Sequence, residues 1–221
     1  CNPESQEYTI QKMLRGGKET TVGRDVTVGE VMEDVLKDVP YYRRSGGGVT
    51  LSGGETMCQP DFALALLGAC KEYGLNTAIE TTACAPAETV RRFIPVCDCF
   101  LMDIKHMNSE KHKEFTTQPN ELILSNAEIL AKEARELVVR VPVIPTFNDT
   151  PEEISAIASF AKSLGSVRQM HLLPYHRLGY DKYIGLGREY TMGDVASPTK
   201  EHMERLRKAA AESGLEIIIG G

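Results

Sequence analysis

The feature that most constrains this chain is the regular return of short apolar runs, each followed by a stretch with apolar residues at helical spacing. Residues 48–51, 76–81, 99–104, 137–144, 169–173 and 215–219 read as strands. Residues 60–73, 87–94, 109–115, 120–135, 151–164 and 199–213 read as helices. Strand and helix alternating at roughly 25 to 35 residues build βαβ units and therefore a parallel sheet. Six strands are fewer than the eight of a closed barrel. Ahead of them, Thr27 with Glu30 three residues on forms a capping box. It opens an amphipathic helix through Val28, Val31, Met32, Val35 and Leu36. Residues 1–23 are polar and weakly patterned, with Gly16-Gly17-Lys18 marking a loop.

Composition narrows the class. With 221 residues, 42% of them hydrophobic, the chain can bury a substantial core, and one domain over 1–221 is expected. A net charge of -6 without a lysine or arginine run argues against nucleic acid or an anionic membrane as partner. No apolar stretch nears the roughly 20 residues of a membrane span. No secretory leader opens the chain, and a cytoplasmic protein is expected. The six cysteines lack disulfide-framework spacing, which suits reduced thiols. Cys70 belongs on the apolar face of its helix, and strand alternation points Cys97 and Cys99 to opposite faces. The chain opens at Cys1, inside what reads as a motif, so an upstream segment is expected.

Polar and ionisable residues recur at the C-terminal ends of the strands. Gly53-Gly54-Glu55 follows the first, Glu80-Thr81 the second, Asp103 and Lys105 the third; Arg140 lies in the fourth and His176 just past the fifth. In a parallel barrel those ends meet at one mouth, where ligand sites are built. Taken singly, Asp103 and Lys105 read as a surface pair, Glu80 as a helix-terminal anion and His176 as a structural histidine. Taken together they read as a ligand site. Paired glycines let a ligand approach exposed backbone amides, and three acids with two cations suit a zwitterion. The residues alone reach an amino acid or an amino-acid-bearing cofactor, without naming the chemistry. Lys105 at a strand end also permits a Schiff-base aldolase, which leaves the SGGE and NPES stretches unexplained.

SGGGVTLSGGE, the ETT from Glu80, LMDIKHM from Leu101, RVPVIPTFND from Arg140 and LLPYHRLGYDKY from Leu172 occur in that order over nearly the whole chain. Together they resemble the radical S-adenosylmethionine activating enzymes of glycyl radical enzymes, the pyruvate formate-lyase activating enzyme group. The NPESQ of Asn2 to Gln6 is similar to the segment that follows a C-x3-C-x2-C cluster motif and one spacer residue in that family. By register Cys1 is the spacer, and a reading of Cys1 as the last ligand stays open beside it. The resemblance implies a partial (β/α)6 TIM barrel of the radical SAM type, lacking its first strand and cluster loop. It implies a 4Fe-4S cluster with ligands upstream of Cys1, S-adenosylmethionine, and a monovalent cation. It also implies a glycyl radical enzyme as protein substrate and flavodoxin or ferredoxin as electron donor.

Carried over by motif position, the resemblance puts Gly53, Gly54 and Glu55 at the methionine end of the ligand and its ammonium. Glu80, Thr81 and Asp103 fall beside its carboxylate around the cation. Lys105 and Arg140 fall at carboxylate or ribose, His176 at the adenosine, and Cys1 at the pocket border. No side chain is expected to act as a general acid or base, and none as a metal ligand. A rival reading takes the chain as a binding module without activity.

Overall fold

In this computed structural model the described residues are 11–15, 18–185, 187, 189, 190, 192, 193 and 195–220. Cys1 and the NPESQ segment lie outside them. Among the described residues the chain opens with a two-stranded antiparallel hairpin, β1 (Gln11–Arg15) and β2 (Lys18–Val22), in register from Gln11↔Val22 to Arg15↔Lys18. It forms in a stretch whose residues carry little apolar pattern. Two helices follow, α1 (Val28–Val35) and α2 (Val39–Ser45). Thr27 and Glu30 close the expected capping box on α1.

The core is a six-stranded, wholly parallel sheet in sequential order: β3 (Gly48–Leu51), β4 (Asn76–Thr81), β5 (Cys99–Asp103), β6 (Leu137–Val143), β7 (Gln169–Pro174) and β8 (Glu216–Ile219). The connections carry α3 (Pro60–Glu72), α4 (Ala87–Phe93), α5 (Ser109–Thr116), α6 (Glu121–Glu133), α7 (Pro151–Ser163), α8 (Tyr180–Gly185) and α9 (Lys200–Ala211). Side-chain caps start several of them. Asn108 accepts from Lys111 N in α5, Thr150 from Glu153 N in α7, and Thr199 from His202 N in α9.

Strand alternation divides the sheet into two unlike faces. On one, Ile79, Phe100, Met102, Val139, Val141, Val143, Met170, Leu172 and Ile217 pack against α3, α4, α6, α7 and α9 through residues such as Leu67, Val90, Leu130, Ile157 and Leu206. Each such side chain contributes about 1.5–3 kcal/mol on burial. The other face carries Ala78, Glu80, Leu101, Asp103, Arg140, Gln169 and His171 at intermediate burial. This is the expected partial barrel. A smaller cluster around Met32, Leu66, Cys70 and Leu75 fastens α1 to α3 and β3. At that edge Gly48 is required by contact, since a Cβ there would lie 1.9 Å from the Asn76 carbonyl oxygen.

Candidate functional site

The site lies where β3, β4, β5 and β6 end. Parallel register sets Asp103 opposite Arg140, and Glu80 opposite Leu101 two residues earlier on β5. The Arg140 side chain, only 11% exposed, therefore reaches both acids. Its Nη1 donates to Glu80 Oε1 at 2.7 Å, while Nε and Nη2 approach Asp103 Oδ1 at 3.0 and 2.9 Å. Ser52 Oγ donates to the other Glu80 oxygen at 2.6 Å, and Lys105 Nζ stands 3.6 Å from Asp103 Oδ2. The row Ser52, Glu80, Arg140, Asp103, Lys105 thus crosses four strands with two positive and two negative charges. The hydrogen bond from Arg140, aided by Ser52 and opposed by burial, holds the Glu80 carboxyl below its ordinary range. Burial pulls Arg140 down, but the bonds to Glu80 and Asp103 outweigh it and raise its pKa.

Beside this row the chain turns at Gly53, whose φ of +128° suits glycine and strains other residues. A Cβ added at Gly53 or Gly54 would meet nothing within 4 Å. Their peptide groups make no hydrogen bond among the described residues, so this backbone faces open space.

Glu55 behaves differently from Glu80, although both follow a strand. Its carboxylate accepts from Thr81 Oγ1 at 2.6 Å, Thr82 N at 2.9 Å, Thr82 Oγ1 at 2.7 Å and Met57 N at 3.2 Å. Thr81 in turn accepts from Ala83 N at 2.8 Å. Ala83 adopts a left-handed φ of +53° and is fixed there because Asn126 Nδ2 donates to its carbonyl and to that of Ala85. Glu55 and Thr81 therefore lock the β3 turn to the end of β4.

The structure brings Gly53, Gly54, Glu80, Asp103, Lys105 and Arg140 to one mouth and sets Glu55 and Thr81 immediately behind it. His176 is exposed, precedes the turn at 177–179, and makes no hydrogen bond among the described residues. Cys1 falls outside the described residues. Sequence reasoning missed His171, which sits opposite Arg140 on β7 and whose pKa is lowered by burial and then by Arg140. Strand alternation could have found it. Burial raises the thiol pKa values of Cys58 and Cys84 above the ordinary range, and pushes Cys97 up to about 12 and Cys99 up to about 11. Among the described residues no three His, Cys, Asp or Glu side chains gather as a metal site. Nor is any described helix long and apolar enough to cross a membrane.

Comparisons with known proteins show the family and the fold. The family model described as the radical SAM superfamily matches residues 15–161. The chain is 47% identical over 192 residues to an isethionate sulfite-lyase activating enzyme of Desulfovibrio desulfuricans, covering 86% of this chain and 61% of that protein. It is 34% identical over 239 aligned positions to the pyruvate formate-lyase 2-activating enzyme of Escherichia coli, covering 100% of this chain and 82% of that one. Among solved structures, a domain of a pyruvate-formate lyase-activating enzyme from Bacteroides vulgatus superimposes with a TM-score of 0.66 at 32% identity, over 79% of this chain and 99% of that one. The chain spans about three fifths of the Desulfovibrio relative's length.

Proposed function

Because the chain belongs to the radical SAM superfamily, and within it to the activating enzymes of glycyl radical enzymes, we propose that it binds S-adenosylmethionine at the strand-end mouth and serves to install a glycyl radical on a partner such as pyruvate formate-lyase or a relative. The observation that carries this reading is the charge-balanced row from Glu80 to Lys105 beside the open Gly53-Gly54 backbone. A zwitterion needs both signs of charge within a few ångströms, together with free peptide groups. When bound, S-adenosylmethionine supplies the deoxyadenosyl radical chemistry of this family, which removes hydrogen from a glycine.

The protein's own part is to bind, orient and shelter. Gly53 and Gly54 offer peptide groups to the methionine end and its ammonium. Lys105 and Arg140 meet carboxylate or ribose, with Glu80 and Asp103 fixing Arg140 from both sides. Glu55 acts from behind, since all its hydrogen bonds go to the β4 end and to Met57 N, and what its segment offers the ligand is backbone. By the family resemblance His176, exposed just past β7, would meet the adenosine, and Cys1 would border the pocket.

The 4Fe-4S cluster that the family implies has no ligand set among the described residues. A monovalent cation among Glu80, Thr81 and Asp103 would share its ligands with Arg140, because the Glu80 oxygens and Asp103 Oδ1 already accept hydrogen bonds and Thr81 Oγ1 donates to Glu55. Flavodoxin or ferredoxin is the proposed electron donor.

The test is anaerobic iron-sulfur reconstitution of this chain beside a form extended upstream of Cys1 through the expected cysteines, followed by S-adenosylmethionine and reductant. The extended form should show the cluster's paramagnetic resonance and release 5'-deoxyadenosine. Release from neither form, with both folded, would leave only the binding-module reading.

A further inference from the structure

Beyond the mouth itself, the ends of β5 and β6 are held by a buried amide. The last backbone bond between these strands runs from Ile104 N to the Arg140 carbonyl at 2.9 Å. One residue farther on the ladder is continued by a side chain. Asn148, with no exposed surface, donates through Nδ2 to the Lys105 carbonyl at 2.7 Å and to the Pro142 carbonyl at 2.9 Å. Its Oδ1 accepts from Ile144 N at 2.7 Å. Both amide hydrogens are thereby used, one on β6 and one on the segment that leaves β5. The turn that delivers Asn148 is itself fixed. Thr146 has a left-handed φ of +69°, its N–H donates to Asp149 Oδ1, and Asn148 N returns to the Ile144 carbonyl.

Neighbouring groups finish the arrangement. Asn120 Nδ2 donates to the His106 and Met107 carbonyls at 2.8 and 2.9 Å. Met107 N donates to Glu153 Oε1 at 2.6 Å. Three consecutive carbonyls, those of Lys105, His106 and Met107, are thus held by two buried asparagines. Lys105 lies two residues past the end of β5, and its Nζ stands 3.6 Å from Asp103 Oδ2. The point from which its side chain leaves is set by where its own carbonyl is tied.

We propose that Asn148 is a positioning residue for Lys105: its amide ties the Lys105 carbonyl to the end of β6 and so fixes the point from which Lys105 reaches the ligand, without touching the ligand. This rests on the S-adenosylmethionine reading above. It makes ligand affinity depend on Asn148 through Lys105, which a double-mutant cycle detects.

The experiment measures S-adenosylmethionine affinity by anaerobic titration calorimetry on the reconstituted, upstream-extended protein as wild type, Asn148→Ala, Lys105→Ala and the double variant. Asn148→Ala should weaken binding about tenfold in the wild-type background and less than about twofold once Lys105 is gone. Equal losses in both backgrounds, or no loss in either, overturn the proposal, since a merely structural defect acts alike with and without Lys105. If Asn148→Ala does not fold, Asn148→Ser carries the same cycle and supports or overturns the proposal on the same outcomes, because it keeps one donor in the turn. A wild type that binds no S-adenosylmethionine overturns the functional reading and this inference with it. A wild type that binds while the cycle is additive overturns the inference alone.

Discussion

The two ends of the same strands each carry a network of charges, and they are built for different ends. At the N-terminal end Asp98 accepts from Lys71 Nζ at 2.8 Å, Thr77 N at 2.9 Å, Thr77 Oγ1 at 3.1 Å and Arg135 Nη1 at 2.9 Å. One acid is saturated by local donors, which tie α3 and β4 to the start of β5. A cleft of about 280 Å³ lies there, lined by Gly48, Asn76, Asp98, Cys99, Arg135 and Glu136 among others. At the C-terminal end one arginine is shared by two acids from two strands, and free glycine backbone stands beside it. Charges and glycines occur at both ends, but beside the cleft Gly47 N donates to Ser45 Oγ at 3.1 Å and the Gly46 carbonyl accepts from Asn76 Nδ2 at 2.7 Å, so neither charge nor glycine alone marks the ligand site. What separates the two is backbone left open next to a balanced pair of charges.

Breaking each network should have opposite signatures. The largest effect is expected for Arg140→Gln, which leaves the Glu80 and Asp103 carboxylates without their shared counter-charge in a mostly buried place. It should cost about 3–5 kcal/mol of stability in denaturant titration and weaken S-adenosylmethionine binding about tenfold or more. Asp98→Asn should cost less, about 1–3 kcal/mol, because donors around a part-buried acid lose an acceptor. Its ligand affinity should match the wild type. A loss of binding in Asp98→Asn equal to that in Arg140→Gln would erase the contrast between the ends.

The smallest expected effect is on pH dependence. Glu80 is held below its ordinary value of 4.5, first by the hydrogen bond from Arg140. A lowered acid contributes stability that is present above 4.5 and lost as pH falls through the folded-state value. Thermal melts of the wild type should therefore fall off below about pH 4.5 more steeply than those of Glu80→Gln. Parallel acid limbs would show that the Arg140–Glu80 pair contributes nothing.

Much of this was legible in the sequence. The six strands appear where short apolar runs recur, because burial under one layer of helices leaves a clear apolar alternation. Glu80, Asp103, Lys105 and Arg140 were legible because a strand of known direction and period assigns each an end and a face. The hairpin β1–β2 was not, since its residues are mostly polar and its order comes from register rather than an apolar stripe. The helix α2 escaped notice although Pro40 stands at its start and Gly46 follows its end with a φ of +68°. The different fates of Glu55 and Glu80 were also hidden. Both are acids after a strand, and only the arrival of Thr81 and Thr82 from β4 turns the Glu55 carboxylate inward. The buried amides of Asn120, Asn126 and Asn148 had no periodic signature, because an isolated asparagine does not tell which carbonyls it will meet.

The measurement that tests the account most directly is a crystal structure of the upstream-extended protein, reconstituted and soaked with S-adenosylmethionine under anaerobic conditions. Electron density for the amino-acid end against Gly53-Gly54, within hydrogen-bond reach of Lys105 or Arg140, is the expected result. Density instead in the cleft between Asn76, Cys99 and Arg135, at the opposite end of the strands, would contradict it.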